Sequence, residues 1–184
     1  ADLAGELHVR DLRSGEEKPC EVFNRNGQRI LRIFADSIPA LGYRCYELLP
    51  GAGKIFEPAA IFDGSSITNA MIEVEISPQG GIRRFVDHTL GSHNWIDAAI
   101  GMANDLGASP GTVALEHAGP VSLSVLVQCD QPFTRSTRIT VSRNSRHVEM
   151  DNRITSGLDG VPLWDFPFAI SSPVLHHEEV GAVL

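Results

Sequence analysis

The sequence predicts an all-β fold of the β-sandwich class, on three observations. Short runs of alternating apolar and polar residues recur along the chain, which is the period of a half-buried strand. Turn signals rich in Gly, Pro, Asn and Ser separate these runs at short intervals. A single stretch, residues 89–111, carries near-helical spacing, far too little for strands alternating with helices.

The elements follow in order. "CEVFN" (20–24) and "RILRIFA" (29–35) alternate on either side of Asn26-Gly27. Asn-Gly tolerates the positive φ of a tight hairpin turn, so the two runs predict a β-hairpin. "DSIPALGYRCYEL" (36–48) then runs through a proline-glycine corner into a strand over 43–49. "PGAGKIFEP" (50–58) reads as a linker, which places a boundary near Pro58 between units 1–58 and 59–184. "SITNAMIEVEIS" (66–77) predicts a strand, Pro78 to Gly81 a turn, and "GIRRFVDH" (81–88) its return.

In 89–111, Trp95, Ala99, Met102 and Leu106 fit either a short helix or an irregular excursion, since Gly101 weakens a helix interior. Strands resume over 112–129, interrupted at Gly119-Pro120. Residues 133–143 and 146–155 flank a predicted two-residue turn at Asn144-Ser145. The final apolar runs, 163–171 and 174–184, are broken by Pro167 and Pro173, which points to edges or bulges. The total is about ten strands with no internal repeat.

Composition narrows the function. The 184 residues are 42% apolar, enough for a core, and carry a formal charge of −8. Clustered basic residues, which a nucleic-acid backbone or an anionic membrane rewards, are missing; Arg83-Arg84 is the one basic doublet. No stretch approaches the ~18 apolar residues of a membrane helix. Cys20, Cys45 and Cys129 form neither a CxxC spacing nor an even set, and Cys45 and Cys129 are expected to be buried thiols. With no leader pattern visible and unpaired cysteines, a cytoplasmic setting is expected. The chain stops at Leu184 inside an apolar run, from which we expect a segment of a larger protein.

Candidate chemistry is sparse. The seven histidines include no HxH, HExxH or Cys/His cluster. In His176-His177-Glu178-Glu179, neighbours on a strand face opposite sides, so the pairs sharing a face are His176 with Glu178 and His177 with Glu179. "PGAGK" (50–54) lacks the spacing and the Ser/Thr of a phosphate loop. The pairs Glu73/Glu75 and Glu149/Asp151 each share a strand face, a pattern open to glycosidase carboxylates and equally to the exposed side of any half-buried strand. Trp95 and Trp164 could stack on a sugar ring or pack in the core; "WDFPFAI" makes Trp164 the one expected to be buried.

The motifs then line up in a familiar order. "ILRIFADSIPALGYRCYEL" (30–48) resembles the end of the small β-domain of family 38 glycoside hydrolases, the α-mannosidases. "ITNAMIEVEISPQGGIRRFVDH" (67–88) resembles the first hairpin of their large C-terminal β-domain, with Thr68-Asn69 where Glu-Asn is usual. "EHAGPVSLSVLV" (116–127) is similar to their Glu-x-Gly-Pro strand, and "STRITVSRNSRHVEMDNRIT" (136–155) to the hairpin after it. An Asp-Trp pair usual next is replaced by "NRITSGLDG". "WDFPFAI" (164–170) resembles the Phe-Pro strand, and "HEEVGAVL" (177–184) the strand beyond.

The resemblance runs from about Cys20 onward. It implies a galactose-mutarotase-like β-supersandwich over 59–184, incomplete in this chain, preceded by part of a smaller β-domain. The family's zinc ion and Asp nucleophile sit in an α/β barrel that no stretch here matches. No catalytic residue or metal ligand is therefore carried over, and no cofactor is expected within the chain. The implied role is the non-catalytic accessory β-region of a retaining α-mannosidase, inactive alone, meeting a mannoside through the parent enzyme. The alternatives are a mutarotase-like sugar epimerase or lyase, with His147/Glu149 or His177/Glu179 as acid and base, and a carbohydrate-binding module. Trp95, Trp164, His177 and Glu179 are the candidate substrate-binding residues, and exposed strand edges make self-association a further expectation.

Overall fold

The computed structural model describes residues 5–25, 27–107, 109–156 and 163–174, and the backbone of 178–179 and 182–183. The chain is an all-β sandwich, with one 3-10 turn, His88–Leu90, as the helical element among the described residues.

Five strands come first: β1 (Leu7–Asp11), β2 (Glu17–Lys18), β3 (Cys20–Arg25), β4 (Gln28–Ile33) and β5 (Tyr46–Pro50). β1 is the centre of an antiparallel sheet ordered β2-β1-β5. β3 and β4 pair as the predicted hairpin, with Arg25 opposite Gln28 and Gly27 at φ +76°. The strand predicted from Tyr43 begins three residues later, at Tyr46. Arg44 is drawn out of that ladder, its guanidinium bonded to Ser37 O at 3.0 Å and Asp11 Oδ2 at 2.9 Å. Cys45, expected buried, is exposed, whereas Cys129 is buried. At the corner itself, Gly42 N donates to Pro39 O at 3.0 Å, and a Cβ on Gly42 would lie 2.5 Å from Pro39 Cγ.

One face of the sandwich is built by β6 (Ile61–Phe62), β7 (Ser66–Thr68), β8 (Ile72–Ile76), β9 (Ile82–Asp87) and β10 (His93–Asn94), ordered β10-β9-β8-β7-β6. The other is β11 (Thr112–Ala118), β12 (Ser122–Cys129), β13 (Arg135–Ser142) and β14 (Val148–Ile154), in that order. Both are antiparallel meanders. A last pair, β15 (Glu178–Glu179) and β16 (Ala182–Val183), is also antiparallel, so the run predicted as one strand over 174–184 contains a hairpin.

The core lies between the two faces. Ile67, Ile72, Val74, Ile76 and Ile82 meet Leu123, Val125, Val127, Ile139 and Val141, all buried. In β8 the buried positions alternate, as the sequence pattern requires. β12 is buried on both faces: Leu123, Val125 and Val127 point into the sandwich, while Ser122 and Ser124 are covered from the outside. Ser124 meets Thr140 across the ladder, hydroxyl to hydroxyl at 2.8 Å.

Three sequence expectations are corrected, the first by a side chain that captures backbone groups. "SITNAMIEVEIS" is two strands, not one. Buried Asn69 breaks the run, its Oδ1 accepting from Met71 N (2.8 Å) and Ile72 N (2.9 Å). Its Nδ2 donates to Ser142 O (2.9 Å) and Ser145 O (2.8 Å), tying the first face to the β13–β14 connection. That connection is longer than two residues, because pairing stops at Val141 and Val148. Residues 163–171 make single bridges, Asp165 with Asp105 and Phe168 with Ile96, rather than a strand.

The 89–111 stretch is the irregular excursion, not the short helix. Asn104 anchors it at φ +60°, buried, exchanging amide hydrogen bonds with Asn152 (2.7 and 3.2 Å) and donating to Gly80 O (3.2 Å).

Candidate functional site

The densest polar constellation lies where the β3–β4 hairpin meets the outer face of the β11–β14 sheet. Strand alternation aims Glu21 of β3 at that sheet, where its side chain is only 3% exposed. Its carboxylate accepts from Val121 N and Ser122 N, each at 3.0 Å, and from Ser122 Oγ at 2.5 Å. Arg32 of β4 lies 3.4 Å from Oε1 and also donates to Ser122 Oγ. His117 Nε2 lies 3.2 Å from Oε2 but is not aligned for a hydrogen bond, and it is buried without another partner. The fit at Gly119 is close: a Cβ there would overlap Glu21 Oε2 and lie 2.7 Å from His117 Nε2.

Beside Glu21 a cavity of about 160 Å³ is lined by Phe23, Arg25, Arg32, Glu116, His117 and Arg138. Phe23 packs on His117 with ring centres 4.8 Å apart, and the Arg32 guanidinium lies 5.0 Å from the Phe23 centre. Arg138 forks onto Glu116 at 2.5 and 2.7 Å and reaches Asp151 at 3.0 Å; Arg25 pairs with Asp151 as well. The Arg138 hydrogen bond holds the Glu116 carboxyl below its ordinary range, and the same bond raises the guanidinium pKa further.

Arg25, Arg32 and Arg138 are thus matched by Glu21, Glu116 and Asp151. Paired charges of this kind fix geometry. The two units are also joined beyond the cavity. Arg143 of the sandwich donates to Glu57 O of the linker.

The sequence-predicted residues lie elsewhere. Trp95 follows β10, half-buried, its ring edge-on to His93 at 4.9 Å and its carbonyl accepting from Ala169 N at 2.9 Å. It neighbours an apolar cleft of about 180 Å³ that includes Phe85, Ile96, Met150, Phe166 and Phe168 but not Trp95 itself. Trp164, expected buried, is half-buried, with Nε1 sequestered and unpartnered. The two indoles are not stacked on each other. His177 lies outside the described residues, as does the side chain of Glu179, whose backbone pairs with Ala182 in β15–β16. His147 precedes β14 and Glu149 is exposed on it. Of the carboxylate pairs, Glu73 is engaged by Arg84, and Glu75 sits across the ladder from that arginine.

Glu21 and His117 are not among the sequence-predicted site residues. Glu21 was legible only as an acidic residue in an alternating strand, and His117 only as one histidine among seven. The available signal was the close packing implied by Gly119-Pro120 directly after "EHA". Among the described residues no group of three or more His, Cys, Asp or Glu side chains is placed to hold a metal ion. The described residues do not offer a ligand set for the zinc of the family that the sequence resembles. Among the described residues no helix is long and apolar enough to cross a membrane. No family model matches the chain, and no curated protein matches it.

Proposed function

We propose that the chain is a non-catalytic accessory β-region of a retaining α-mannosidase, built as part of a mutarotase-like supersandwich and inactive alone. One observation carries the reading: the motifs that resemble the family fall on structural joints. The "EHAGP" motif supplies His117 and Gly119 to the Glu21 junction, its Pro120 carbonyl accepts from Arg143, and its Glu116 is clamped by Arg138. Asn69, the Asn of the hairpin motif, ties one sandwich face to the other. The Ile-Pro-Ala-Leu-Gly corner packs against itself through Pro39 and Gly42. Residues used this way account for the motif as architecture, without placing a nucleophile in it.

In this reading zinc and the nucleophile belong to a barrel elsewhere in the parent enzyme, and this region frames it. The test is twofold. The coding sequence upstream is expected to encode an α/β barrel with a zinc-ligand pattern. The chain alone, with or without added zinc, is expected to leave an aryl α-mannoside intact and a free sugar's anomers unequilibrated. Hydrolysis by the isolated chain would overturn the proposal, and catalysed mutarotation would favour the epimerase-type alternative.

A further inference from the structure

A second cleft opens on the seam, and it is the larger of the two, at about 540 Å³. That falls in the ~300–1,000 Å³ range of small-molecule sites, which favour boundaries between structural units. Four segments converge on it: residues 15–19 around β2, residues 34–36 after β4, linker residues 54–56, and the turn at Arg143-Asn144.

The walls are pinned. Glu17 accepts from Lys54 N at 2.6 Å, holding the linker against β2. Gly53 lets the linker pass so close to His8 that a Cβ there would overlap it. Arg143 bonds Glu57 O from the sandwich side. Lys18 bridges Asp36 (3.2 Å) and Glu16 (3.6 Å) across the floor, and its side chain is 15% exposed. A cleft held this way does not have to order its walls when a ligand arrives.

The charges decide the ligand class. Lys18, Lys54 and Arg143 are offset by Glu16, Glu17 and Asp36, so the cleft has no net pull for a phosphate or another anion. Its lining combines the donors of Lys18, Lys54, Arg143 and Asn144 and the acceptors of Glu16, Glu17 and Asp36 with the half-buried rings of Phe34 and Phe56. Lys54 Nζ lies 5.3 Å from the Phe56 centre. Closely spaced hydroxyls answer such a lining, and the apolar face of a sugar ring answers an aromatic wall. We propose that this seam cleft binds a neutral, polyhydroxylated ligand, a short oligosaccharide. The inference stands apart from the mannosidase reading, because it rests on the cleft's own lining and needs no catalytic partner.

The experiment is amide-resolved NMR titration of the chain with neutral trisaccharides, mannotriose and maltotriose, beside inorganic phosphate as the anionic control. Shifts are expected to centre on residues 15–19, 54–56 and 143–144 with at least one trisaccharide and to be missing with phosphate. Phe56→Ala is expected to weaken binding about tenfold, the loss of one aromatic contact and its hydrogen-bonded neighbours. Asn144→Gly, which keeps the left-handed turn (φ +51°) while deleting the amide, is expected to weaken it as well, and it guards against a Phe56 variant that misfolds. Shifts with phosphate alone, shifts elsewhere on the chain, or none at millimolar sugar would each overturn the assignment. Mannosidase activity does not enter the readout, so the two proposals fail independently.

Discussion

Glu21 shows how one side chain can decide an arrangement. A carboxylate taken out of water is costly unless its oxygens are met, and here two backbone N–H groups and a hydroxyl meet them. Glu21→Ala strips those donors of their acceptor. It is expected to cost about 3 kcal/mol in urea denaturation, with Glu21→Gln costing less because its carbonyl oxygen still accepts. Loss below about 0.5 kcal/mol for Glu21→Ala would mean the junction is not held here.

Other carboxylates set the response to acid. Hydrogen bonds from Thr89, hydroxyl first and then N–H, hold Asp87 below its ordinary value, helped by Arg146. Asp11 is held down first by the Arg13 N–H, then by the Ser14 N–H and Arg44. A depressed folded value means the unfolded chain binds the proton more tightly. The stabilisation is therefore complete above the unfolded value near ~4 and is lost as pH falls through the folded values. Denaturation midpoints are expected to be set by these groups only below about pH 4. Asp87→Asn should flatten part of that acid limb, and an unchanged limb in both Asp87→Asn and Asp11→Asn would sink the explanation.

Among the elements, β12 carries the most responsibility. It faces the apolar core on one side and the hairpin's polar junction on the other, so its serines are as buried as its valines. Its neighbour β13 contributes Ile139, fully buried between the sheets. Ile139→Ala is expected to lower stability by about 2–5 kcal/mol, from lost burial and an unfilled cavity. Leu115→Ala on β11 is the control: Leu115 is 51% exposed, and a change within about 0.5 kcal/mol is expected. Equal losses at both positions, in matched thermal or urea melts, would contradict the assigned core. The irregular 95–107 segment belongs to the same scale. It is held by isolated bridges and the Asn104–Asn152 amide pair, which supply the backbone and side-chain partners that a helix would have supplied internally.

At the scale of the molecule, the β1–β5 strands and the sandwich meet along one seam. Its polar contacts are the Glu21 cluster, Arg25 with Asp151, and Arg143 with the linker carbonyl. Units coupled through so few groups unfold together only while those groups hold. The wild-type chain is expected to melt in one transition. Glu21→Ala combined with Arg143→Ala is expected to split it into two by calorimetry, with faster proteolysis in 51–57. A single transition in the double variant would show that apolar packing, rather than this polar set, couples the units.

The alternation of β3, β4, β8 and β9, the Asn-Gly turn and the Gly-Pro break before β12 determined the all-β class from the sequence, because strand period and turn chemistry are local properties of the chain. Local signals fell short wherever a side chain reached across the fold. Asn69 interrupts a strand by bonding backbone on both sheets, Arg44 delays β5 by turning to Asp11, and Asn104 holds open a segment whose spacing also suited a helix. The candidate site belongs wholly to this second kind. Glu21 and Ser122 are 101 residues apart in sequence, and Lys18 and Arg143 approach the same cleft from opposite units. Which polar groups lose their water, and which partners replace it, depends on what the tertiary structure packs over them, and no period in the sequence records that.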